Sequence, residues 1–122
     1  MVVHSDDGMD EISICAPTTV SELKNGEVTT FRIKPEDFGL KTASINEIVV
    51  ADSAASLALI NDVLRREQGP ARDIVAMNAG AGIYLSGLAN SLEEGIQSAI
   101  AAIDSGKALD AMNTYVRATQ ET

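Results

Sequence analysis

The dipeptide Asn25-Gly26 is the strongest local constraint on how this chain can fold. Both residues adopt positive φ at low cost, so the pair favours a two-residue type I′ turn, whose twist matches that of paired strands. Residues 19–24 and 27–33 flank it. In the second arm Thr29, Phe31 and Ile33 fall on one face, and Val28, Thr30 and Arg32 on the other. A β-hairpin is therefore expected. Pro35 ends its second arm, and Gly39 permits a sharp bend shortly after.

Beyond residue 50 the hydrophobic period lengthens from two to that of a helix. Asp52 is placed to cap a helix carrying Leu57, Ile60, Val63 and Leu64, which runs up to Gly69. Pro70 suits the first turn of a second helix, where its missing N–H costs little. That helix carries Ile74, Val75, Met77, Asn78, Ala81, Tyr84 and Leu85, and is expected to be the most buried element. Ser91 and Glu94 have capping-box spacing, each satisfying the other's backbone donor. Leu92, Ile96, Ala99, Ile100 and Ile103 then line one face until Gly106, and a last helix from about Lys107 turns Leu109, Met112, Tyr115 and Val116 inward. Residues 45–50 read either as a short strand or as an extended linker. The fold class is α/β: N-terminal strands and a hairpin, then about four helices packed on the sheet.

At 122 residues the chain is one domain or part of one. The net charge of −9, with no basic stripe, argues against nucleic acid as a partner. An acidic protein that binds a polyphosphate needs a metal ion or local cations at the contact. The lone Cys15 excludes an internal disulfide and a cysteine metal framework, and its apolar setting reads as a small buried hydrophobe. No apolar run reaches membrane-spanning length and no signal peptide is evident, so a soluble cytoplasmic protein is the expectation.

Asp6, Asp7, Asp10 and Glu11 crowd four carboxylates into a short loop between two apolar segments, residues 1–4 and 12–15, both β-like in composition. Asp and Gly are ordinary turn residues, so composition alone favours a solvated turn. The competing reading is a magnesium site, because Mg2+ takes one or two protein carboxylates and completes its shell with water and phosphate oxygens. His4, the only histidine, precedes the loop and has no partnered serine or cysteine pattern, so a structural or supporting role is favoured over catalysis. Asn78-Ala79-Gly80-Ala81-Gly82 lacks a Walker lysine and sits within a helical pattern. Close helix packing is favoured there over phosphate binding, with Asn78 bonding a loop backbone.

Residues 2–13, Val-Val-His-Ser-Asp-Asp-Gly-Met-Asp-Glu-Ile-Ser, resemble the Val-His-Gly-x-Asp-Gly-Leu-Asp-Glu-Ile segment of the anthranilate phosphoribosyltransferases. Residues 18–23, 35–40, 69–75, 77–84 and 102–109 are similar to further motifs of that family, in the same order. The resemblance implies an enzyme of tryptophan biosynthesis that transfers phosphoribosyl from phosphoribosyl pyrophosphate to the amine of anthranilate. It implies that Asp10 and Glu11 are ligands of Mg2+, that Asp7 shapes the loop and that Asp6 is solvated. No covalent nucleophile is required, in keeping with the lack of a triad. The complete enzyme is expected to be a cytoplasmic homodimer.

The departures matter as much. The pyrophosphate-cradling Gly-Thr-Gly-Gly-Asp loop, the Lys-His-Gly-Asn-Arg segment and the helical dimer-forming domain of the family have no counterpart in the chain. Ser5 replaces the glycine usual after the histidine, the common Gly-Gly pair is lost near residues 49–52, and Ser56 stands where asparagine is frequent. Residues 1–122 are thus expected to be a C-terminal part of the catalytic α/β domain, inactive alone and prone to self-association through uncovered strand edges. The alternatives are a nucleoside phosphorylase-like enzyme, and a non-catalytic, self-associating acidic module derived from the transferase.

Overall fold

A computed structural model describes residues 1–120. Three strands, β1 (Val2–Ser5), β2 (Thr18–Lys24) and β3 (Glu27–Ile33), form one antiparallel sheet in the order β1-β2-β3. Four helices follow: α1 (Ser53–Leu64), α2 (Pro70–Leu85), α3 (Leu92–Asp104) and α4 (Lys107–Gln120). The hairpin forms as expected. Lys24 pairs with Glu27, and Asn25 and Gly26 take φ of 53° and 82°, the positive pair of a type I′ turn.

One face of the sheet is covered along β2, while Thr29 and Phe31 of β3 on the same face are exposed. Val20 is buried between Val3 and Phe31, and it joins Ile12, Ile14, Ile33, Met77, Ala81 and Ile96 in a single core cluster. The helical side comes from α2 and α3, which approach so closely that neither could carry a side chain at the crossing. A Cβ on Gly80 would lie 2.5 Å from the Ile96 backbone, and one on Gly95 would run into the Gly80 carbonyl oxygen. Gly80 is therefore a packing device, as its helical setting indicated, whereas Gly82 in the same stretch faces open space. Val2, Leu23 and Val28 remain exposed on the opposite face of the sheet.

Several helix ends follow the sequence. Asp52 accepts the Ala55 N–H at 2.8 Å, Pro70 opens α2, and Gly106 takes φ of 83° between α3 and α4. Four expectations are corrected. Residues 12–15 are not a strand: Ile12, Ser13 and Ile14 are all buried, without the alternation of a strand, and the Asn78 and Thr18 side chains and the Ala43 N–H, rather than a neighbouring strand, bond their backbone. Residues 45–50 are neither strand nor extended linker throughout, since Ile45–Glu47 forms a 3-10 turn, with Glu47 accepting the Ser44 N–H. The capping box at Ser91 is half formed. Ser91 accepts the Glu94 N–H, but the Glu94 carboxylate reaches back to Asn90 instead. Finally, α4 has no buried residue, and Tyr115 and Val116 face outward at 67% and 42% exposure.

Candidate functional site

The acidic loop is built from the end of β1. Ser5 is fully buried; its N–H donates to the Met9 carbonyl at 3.2 Å and its carbonyl accepts from Gly8 at 3.0 Å. Asp6 N–H donates to the Pro17 carbonyl, tying the loop to the start of β2. Gly8 sits at φ of 90°, a conformation that side-chain-bearing residues rarely adopt, so glycine is required at the turn.

Within this frame the four carboxylates have different roles. Asp7 faces inward along the loop, accepting the Met9 N–H at 3.2 Å and the Ser13 hydroxyl at 2.6 Å. Partial desolvation pushes its pKa up, but the bonds from Ser13, Ser5 and the backbone outweigh it and leave the group below its ordinary value. Asp7 shapes the loop, as the resemblance implied. Asp6 is not simply solvated: it forms an ion pair with Arg32 of β3, which also reaches the Thr19 hydroxyl at 3.4 Å. Asp10 and Glu11 are exposed, and among the described residues neither has a hydrogen bond or ion pair.

The far side of the loop is pinned by α2. Asn78 accepts the Ile12 N–H at 2.9 Å through Oδ1, and through Nδ2 it donates to the carbonyls of Ile12 at 2.8 Å and Ile74 at 3.0 Å. The amide thus imitates a strand partner at the residue directly after Glu11. Next along the chain, Ser13 N–H donates to the Thr18 hydroxyl, and the Ser13 hydroxyl accepts from the Cys15 N–H. Burial raises the Cys15 thiol above its ordinary value, which opposes thiolate formation. Glu11 also lines the mouth of a cleft of about 300 Å³ between α1 and α2, beside Val50, Ser56, Ile60 and Ile74.

His4 lies exposed in β1 opposite Thr19, with no hydrogen bond or ion pair among the described residues, so it positions neither carboxylate. Arg32 and Ser13 are the site residues that the sequence reading passed over. The alternation of β3 had placed Arg32 on the face opposite Ile33, where His4 and Thr19 also lie, and that was the available signal.

The donor set fits a small, hard cation. Among the described residues no three His, Cys, Asp or Glu side chains come close enough to enclose a metal. Two neighbouring carboxylates with free oxygens suit an ion that keeps most of its shell for water and phosphate.

Residues 1–109 match the family described as "Glycosyl transferase family, a/b domain". The chain belongs to that family. It is 53% identical over 119 residues to the anthranilate phosphoribosyltransferase of Thioalkalivibrio sulfidiphilus, covering 98% of this chain and 35% of that protein. It is 56% identical over 110 residues to the enzyme of the same name from Marinomonas sp., covering 88% of this chain and 32% of the relative. The crystal structure of anthranilate phosphoribosyltransferase from Thermus thermophilus superposes with a TM-score of 0.84 at 34% identity, over 94% of this chain and 34% of that one. The Saccharomyces cerevisiae enzyme in complex with PRPP and Mg gives a TM-score of 0.84 at 25% identity, over 98% and 35%. The chain therefore spans about a third of the length of the relatives it matches.

Proposed function

We propose that this chain is the C-terminal part of the catalytic α/β domain of an anthranilate phosphoribosyltransferase, in which Asp10 and Glu11 hold Mg2+. The complete enzyme transfers phosphoribosyl from phosphoribosyl pyrophosphate to the amine of anthranilate and releases pyrophosphate. It works in this reading as a cytoplasmic homodimer. One observation carries the assignment: two adjacent carboxylates stand free of protein partners among the described residues, on a loop that is fixed from both sides. The relatives' name and the magnesium in one solved neighbour support it.

When bound, Mg2+ offsets the charge that collects on pyrophosphate as the anomeric C–O bond breaks. The protein's contribution is positional. Asn78 fixes the backbone after Glu11, Asp7 and Ser13 hold the turn before Asp10, and Arg32 neutralises Asp6 so that it does not compete for the cation. The four carboxylates against one guanidinium leave a local negative excess that favours a divalent ion and would repel an unescorted pyrophosphate.

The test has two parts. Titrating the 122-residue chain with Mn2+ should broaden the backbone resonances of residues 9–12, and Asp10→Asn with Glu11→Gln should abolish the effect. Reassembly with the preceding two-thirds of a relative should give magnesium-dependent turnover that the double variant loses by roughly a hundredfold or more, as expected for removing a charge-stabilising group. Equal metal dependence and rate in the double variant would refute the assignment. The chain alone should not turn over anthranilate.

A further inference from the structure

Two pinned peptide groups bracket Asp10 and Glu11. The one that follows Glu11 is held from α2, where Asn78 accepts the Ile12 N–H at 2.9 Å. The one that precedes Asp10 is held from the end of β1, where the Ser5 N–H donates to the Met9 carbonyl at 3.2 Å. Met9 is held at its other side too, its N–H donating to Asp7 Oδ1 at 3.2 Å. Asp10 is thus placed from a strand and Glu11 from a helix, through contacts that share no side chain.

Ser5 stands behind both Met9 contacts. It is fully buried, and its hydroxyl has two acceptors within reach, the Pro17 carbonyl at 3.3 Å and the Asp7 carboxylate. A hydroxyl has one hydrogen to donate. The Pro17 carbonyl already takes the Asp6 N–H at 3.0 Å, whereas Asp7 carries a charge, and a hydrogen bond to a charged acceptor is the stronger. The hydroxyl is therefore drawn to Asp7. Ser13 donates to Oδ2 of the same carboxylate at 2.6 Å, so loss of the Ser5 hydroxyl would loosen Asp7 without releasing it. Both acceptors also keep another donor, and Ser5→Ala should retain the fold.

We propose that Ser5 is a positioning residue for Asp10. Its hydroxyl steadies the Asp7 carboxylate, Asp7 holds the Met9 N–H, and the Ser5 N–H holds the carbonyl that leads into Asp10. The proposal rests on the magnesium reading of Asp10 and Glu11, and adds that the two carboxylates are aimed by separate anchors, Ser5 for the first and Asn78 for the second. Partners that orient a metal ligand without touching the metal govern affinity through that ligand alone. The effect of each anchor should therefore disappear when its own carboxylate is removed, and persist when the other one is.

The experiment is a set of double-mutant cycles on the 122-residue chain, read by NMR without metal and then with Mn2+. Without metal, Ser5→Ala should speed hydrogen exchange at Met9 about threefold to tenfold, the factor expected for one hydrogen bond, and leave Ile12 unchanged. Asn78→Ala should do the reverse. With Mn2+, Ser5→Ala should weaken binding about threefold to tenfold in the wild-type and Glu11→Gln chains, and by less than about twofold in Asp10→Asn. Asn78→Ala should show the opposite dependence on background. Unchanged Met9 exchange in Ser5→Ala, or an equal loss of Mn2+ affinity in the Asp10→Asn and Glu11→Gln backgrounds, would overturn the proposal. The expected exchange pattern in a wild-type chain that binds no Mn2+ would overturn the magnesium reading instead and leave the anchoring of Asp10 by Ser5 supported.

Discussion

Replacing Asn78 by alanine isolates the link between the helical core and the acidic loop. The side chain makes two hydrogen bonds to the peptide groups flanking Ile12 Cα, at 2.9 and 2.8 Å, and Ile12 itself is 1% exposed. Alanine leaves the N–H and the carbonyl of Ile12 without their partners. A buried group left unpaired costs about 1–3 kcal/mol. Because Asn78 is only half-buried and water can reach part of the gap, the pair together should cost roughly 2–4 kcal/mol. Against a total stability of about 5–15 kcal/mol for a domain, this is a large fraction.

The effect should also be local. Hydrogen exchange at Ile12 should accelerate about 30-fold or more, since about 2 kcal/mol corresponds to that factor, while amides in the β2–β3 ladder should change only by the global loss. Magnesium or manganese affinity should fall as well, because the Glu11 backbone loses its anchor. Asn78→Asp is the informative companion. Its carboxylate can still accept the Ile12 N–H but sets a negative charge against the Ile12 carbonyl, so it should be no better than alanine. If Asn78→Ala left Ile12 exchange and metal affinity unchanged, the claim that α2 holds the loop would be wrong.

Three further outcomes are expected. Gly80→Ala should destabilise by about 1–3 kcal/mol or more in urea unfolding, because the new methyl meets Ile96 backbone at 2.5 Å and the helices must part, whereas Gly82→Ala, with nothing within 4 Å, should be neutral or slightly stabilising. Asp7 has a folded-state pKa below its unfolded value, so its contribution is present above the ordinary carboxylate pKa and is lost as pH falls through the lowered one; Ser13→Ala should raise its midpoint in a carboxyl-carbon NMR titration. Arg72 is 6% exposed, is paired with Asp104 at 2.7 Å and has an unpartnered Nε; Asp104→Asn should cost about 1–3 kcal/mol in the same unfolding assay, discounted because Asp104 is half exposed.

What could be read from the sequence is what local chemistry decides. Asn25-Gly26 sets its own turn, Asp52 and Pro70 mark helix starts through their own side chains, and the Gly80 region declared itself by sitting in a helical pattern. Residues 12–15 failed because Ile12 and Ile14 have strand composition, while the groups satisfying their backbone include Asn78, which is 66 positions away. No window of sequence contains both partners. The helical period was likewise sound as a period, yet Leu57, Ile60 and Tyr115 are exposed at 56%, 41% and 67%. Apolar spacing shows which residues share a face; it does not show that another element among the described residues covers that face. Asp6 illustrates the same limit for charge, since its ion pair needs the register of β3 against β2.

The acidic loop separates two tasks that a cluster of carboxylates would otherwise confuse. A cation site needs oxygens that are unsatisfied by the protein, whereas a loop of fixed shape needs its polar groups satisfied. Here the shape is held by Asp7, Ser13, Asn78 and the Asp6–Arg32 pair, each spent on a protein partner. Asp10 and Glu11 are spent on none among the described residues. Had all four carboxylates been free, mutual repulsion would splay the turn and any bound ion would have to order it. Had all four been paired, no ligand would remain. The part of this positioning done by the Asn78 amide and the Ser13 hydroxyl has a further consequence: these two groups do not titrate between about pH 5 and 8. The anchoring of Ile12 by Asn78 should therefore stay constant across that range.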